Sequence, residues 1–77
     1  MVKEAKVALE LTVDEALVLF EWLSRFNQNE NVAFEDAAEQ RVLFDLESKL
    51  ESSLTAPLEP NYKEQLAEAR RRVQGVE

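Results

Sequence analysis

This chain has no cysteine, no histidine, one glycine and two prolines. Without cysteine there is neither a disulfide nor a thiolate metal site, which excludes small disulfide-stapled secreted domains. Without histidine there is no imidazole base, no imidazole metal ligand and no Ser-His or Cys-His dyad. The single glycine, Gly75, lies near the C-terminus, so no glycine-rich loop can cradle a phosphate. Ser24, Ser48, Ser52 and Ser53 stand in no recognisable motif. No cofactor motif is present. No apolar run approaches a membrane span, and the start, MVKEAKVALELTVDEA, is interrupted by charge, unlike a signal peptide. The expectation is a soluble cytoplasmic protein with no membrane partner.

What is present fits one small folded domain spanning residues 1–77, 45% hydrophobic and 32% charged. So short a chain leaves much apolar surface at its boundary, which favours oligomerisation. The net charge of −7 is uneven. Residues 1–34 sum to −3, residues 35–60 to −5 and residues 61–77 to +1. An acidic body argues against nucleic-acid binding, because phosphate contacts need a positive surface. It suits a basic protein partner, or simply solubility.

The fold class expected is mainly α: one short N-terminal strand, then three helices at about 13–26, 36–54 and 62–74. In residues 5–11, Val7, Leu9 and Leu11 alternate with Ala8 and Glu10, the pattern of a half-buried strand. Its partner is either residues 32–34, making a two-stranded ribbon, or the same strand of a second copy. Thr12 and Glu15 form a capping box before the first helix. Asp36 caps the second, and Pro57 and Pro60 end it. Asn61 caps the third, with Glu64 as its box partner, and Gly75 stops it.

The first helix is apolar over a wide arc of Ala16, Leu17, Leu19, Phe20, Leu23 and Phe26, extended by Trp22 and Val18. Such a helix is either central or partly covered by a second subunit, and a homodimer is expected. Val18 and Trp22 are then interface candidates; the other reading places them under the Pro57–Pro60 connector. The second helix carries a stripe of Val42, Leu43, Leu46 and Leu50, and the third a stripe of Tyr62, Leu66, Ala69 and Val73. Phe44 falls off its stripe. Either another element of the chain covers it or it anchors a partner. Glu39 falls on the stripe side, as a helix cap, a buried ion pair, a metal ligand or an acid of raised pKa; capping or pairing is favoured.

The run AEQRVLFDLESKLE, within residues 36–51, is followed by APLEPNYKEQLAEAR at residues 56–70. Together they resemble a group of small bacterial proteins of unassigned function, which open with a short strand and an LTxDEALVLFEWL-like helix. The resemblance covers residues 9–70. It implies a bacterial cytoplasmic protein and brings no activity and no functional residues.

The function expected is that of a non-enzymatic interaction or adaptor-type protein. It is a homodimer that binds another protein through an acidic or aromatic surface; an antitoxin, an immunity protein or a small adaptor has these properties. One alternative is a carboxylate-based metal-dependent enzyme acting on nucleotides, with Glu35, Asp36, Glu39, Glu47 and Glu51 as its acids. A second is a nucleic-acid binder gripping through Arg70, Arg71 and Arg72.

Overall fold

The structure is a computed structural model and describes residues 5–29 and 31–75. It is mainly helical: α1 is Val13–Asn27, α2 is Ala37–Ser53 and α3 is Tyr62–Gln74. A 3₁₀ turn, Ala56–Leu58, joins α2 to α3. Each boundary lies within one residue of the sequence expectation.

The caps account for the starts. Thr12 Oγ1 accepts from the Glu15 N–H at 3.0 Å, and Glu15 Oε1 accepts from the Thr12 N–H at 2.9 Å. Two N–H groups without helical partners are thereby satisfied at α1. Asp36 Oδ1 accepts from the Ala38 N–H at 2.7 Å at the start of α2. Asn61 departs from expectation. Its side chain makes no cap hydrogen bond, and its φ and ψ of −97° and 29° are not those of an extended cap residue. Its Oδ1 instead accepts from Gln65 Nε2 at 2.7 Å. Gly75 closes α3 at φ 77°, the left-handed conformation that glycine adopts without steric cost.

α1 is central and packs on both α2 and α3. Leu17, Phe20 and Leu23 form the middle of the core, with Leu23 wholly enclosed. Leu50 closes it from α2, Leu54 from just past the end of α2, Leu66 and Ala69 from α3, and Ala56 from the 3₁₀ turn. The centrality of α1 explains its wide apolar arc: two flanking helices each cover part of it.

Three side-chain links set how α2 and α3 lie against α1. Asn27 Nδ2, at the end of α1, donates to Glu47 Oε1 at 2.7 Å and to the Leu43 carbonyl at 3.4 Å. Arg72, near the end of α3, meets Asp14 at the start of α1 at 2.7 and 3.0 Å. At the other end of α3, the Tyr62 hydroxyl donates to Glu21 Oε1 at 2.8 Å.

Residues 5–11 do not form the expected strand, and no ribbon with residues 32–34 exists within the chain. Among the described residues there is no strand at all. The reason is geometric. A strand needs a neighbour for its backbone groups, and these two segments leave opposite ends of α1. Val7 and Leu9 are consequently 90% and 83% exposed.

Tyr62 provides a pH probe. Burial, and then its hydrogen bond to the Glu21 carboxylate, push its hydroxyl from 10.0 up to about 12. Both causes penalise the phenolate. The folded protein thus keeps a proton that the unfolded chain loses first, so this group's contribution to stability is full below pH 10.0 and fades towards about 12. Tyr62 is the only tyrosine. Phenolate absorbance is expected to rise about two pH units later in native protein than in denaturant, and Glu21→Gln is expected to narrow that gap. Coincident titrations would refute the assignment.

Candidate functional site

An open apolar groove lies at the far end of the helical layer. Because Asn27 stands against Leu43 and Glu47, the first turns of α2 overshoot the end of α1 by about 9 Å. α3 gives no cover there, since its first residue, Tyr62, reaches only Glu21. The chain between α1 and α2 crosses this gap. Phe26 from α1, Val32 and Phe34 from the crossing, and Ala38, Val42 and Leu43 from α2 line a groove of about 560 Å³. Trp22 stacks on Phe26 with centroids 4.8 Å apart and planes at 25°. Phe26 meets Phe34 edge-on at 6.1 Å and 72°. These arrangements suit the ring quadrupoles.

The same overshoot moves two residues from where the helix pattern puts them. Val42, expected on the core stripe, is 61% exposed at the groove. Glu39, expected to face inward, is exposed at the groove rim. Its Oε1 accepts from the Glu35 N–H at 3.0 Å, so it reaches back over the start of α2. Among the described residues no ion pair with an arginine engages it.

Val18 and Trp22 line a smaller groove of about 310 Å³ between α1 and α3, beside Arg70 and Val73. α3, and not the connector, borders them there. Trp22 is 45% exposed. Phe44 is 42% exposed on α2 and lies outside the core cluster.

The carboxylates proposed for metal chemistry are dispersed or engaged. Among the described residues no group of three could hold a metal ion. Glu47 is taken up by Asn27, while Asp36 and Glu39 accept from backbone N–H groups. The three arginines of α3 also diverge. Arg70 faces the Trp22 groove, Arg71 lies with Glu64 and Glu68, and Arg72 binds Asp14. Arg72 is thereby linked to the start of α1. That guanidinium holds the Asp14 carboxyl below its usual value.

No family model, curated protein or solved structure matches this chain. Among the described residues no helix is long and apolar enough to cross a membrane.

Two groups escaped the sequence reading. Asn27, just beyond the expected end of the first helix, ties α1 to α2 through Leu43 and Glu47. Phe26, Val32 and Phe34 converge on one groove. The signal for the second was an apolar triplet, Val32-Ala33-Phe34, directly after the polar run from Asn27 to Asn31.

Proposed function

We propose that this chain is a non-enzymatic interaction protein, a homodimer that binds a further protein through its acidic and aromatic surface. The observation that carries the reading is the groove of Phe26, Val32, Phe34 and Val42, an aromatic-walled apolar surface open to solvent. Surfaces of this kind are characteristic of protein contacts. The net charge of −7 favours a basic partner for the remaining face, where Phe44 is a ready anchor. The bacterial and cytoplasmic setting implied by the sequence resemblance belongs to the same proposal.

Light scattering or sedimentation at micromolar concentration tests self-association. The expected mass is twice 8.9 kDa; a concentration-independent monomer would overturn the reading. Phe44→Ser is expected to leave both the mass and the helix content unchanged, because Phe44 belongs to the other face. Its conversion to a monomer would instead place Phe44 in the self-interface.

A further inference from the structure

We propose that residues 5–11 of a second copy fill the Phe26–Phe34–Val42 groove and pair as a strand with residues 32–34. The proposal rests on the homodimer reading and names the segment that makes the contact.

Two unsatisfied features of the chain are complementary. Residues 5–11 are exposed throughout, and their backbone makes no hydrogen bond with another described residue. The backbone of Val32, Ala33 and Phe34 likewise bonds to no other described residue. One is a segment with strand alternation and no neighbour; the other is a short open edge with an apolar groove beside it. Adding a strand to such an edge satisfies both backbones and seats alternate side chains in the groove. Val7, Leu9 and Leu11 are the alternate side chains available.

The chain cannot do this for itself. Phe26 lies about 21 Å from Thr12 along α1. An arm folding back from Thr12 carries Leu11 about 3 Å, Leu9 about 10 Å and Val7 about 17 Å at most. All three therefore fall short of the groove in their own chain. A second copy has no such limit, and reciprocal exchange of arms closes a two-fold dimer.

The surface is ample for this. A folded monomer of 8.9 kDa exposes about 4,800 Å². This chain exposes 6691 Å², an excess of about 1,900 Å². A stable interface takes about 800 Å² from each partner.

The absence of native cysteine makes the test direct. In a strand paired this way Lys6, Ala8 and Glu10 lie on the face opposite Val7, Leu9 and Leu11, within reach of Ala33, which is exposed between the half-buried Val32 and Phe34. Three single variants, K6C, A8C and E10C, are each mixed with A33C under mild oxidation. Because the two cysteines sit on different chains, a disulfide can form only between copies. One of the three mixtures is expected to yield the crosslinked dimer, and the position that does so reports the register. In parallel, Leu9→Asp is expected to weaken the dimer about tenfold or more without loss of helix content. If the protein sediments as a dimer but no mixture crosslinks and Leu9→Asp dimerises normally, arm exchange is overturned while the homodimer stands. If the protein is a monomer, both fall.

Discussion

Leu23→Ala is expected to lower stability by about 2–5 kcal/mol, a large share of what a domain of this size holds. Leu23 is 0% exposed, at the middle of the helix that both other helices pack against. Removing its side chain forfeits the transfer free energy of the buried atoms. It also leaves a cavity that two helices in register cannot readily close. A domain of this length holds about 4–12 kcal/mol in all. The variant is therefore expected to melt at least about 10 °C lower, and to be partly unfolded at ambient temperature if the parent lies at the low end. Thermal unfolding followed by circular dichroism is the measurement. Parent and variant are compared at one protein concentration, since the proposed self-association would add a concentration-dependent increment to both. A loss under about 1 kcal/mol would mean that Leu23 is not the centre of the core.

The second large effect is expected from addition. Ala69 is 0% exposed on the face of α3 that meets α1. Only a methyl group fits there, which lets the two helices lie close. Ala69→Leu forces extra methylene groups into a filled space and is expected to cost about 1–3 kcal/mol. Ala67→Leu is the internal control. Ala67 is exposed on the opposite side of the same helix, and leucine suits a helix about as well as alanine. Its expected effect lies within about 0.5 kcal/mol. Denaturant midpoints for the two variants decide the matter: equal shifts would show that α3 does not seat Ala69 against α1.

The helices were legible because their signals are local. The Thr12–Glu15 box needs only four residues, and the apolar repeat of α1 needs only its own length. The N-terminal strand was not legible in the same sense. Alternation at Val7, Leu9 and Leu11 states a preference, but a strand exists only with a neighbour, and the chain supplies none within reach. Asn61 failed for a related reason: residue type marks a capping position, while the backbone angles decide whether the side chain can cap.

Glu39 and Val42 illustrate the remaining limit. A helical projection assigns a face but not how far the opposing helix extends. Both residues lie on the side of α2 that points towards α1, yet α1 ends at Asn27, before reaching them. An inward-facing acid thus becomes a rim residue, and a core valine becomes part of an open groove.

The sequence alone therefore determined the helical class, the element order and boundaries, the acidic charge and the absence of thiol and imidazole chemistry. Each follows from residue types or from spacing within one turn or one element. Only the tertiary structure decided that α1 is central and that α2 overshoots it. It also showed that Arg72 is tied to α1 and that Phe26, Phe34 and Val42 meet in one groove. These facts depend on the relative offset of helices distant in sequence, set by contacts such as Asn27 to Glu47 that no local pattern encodes.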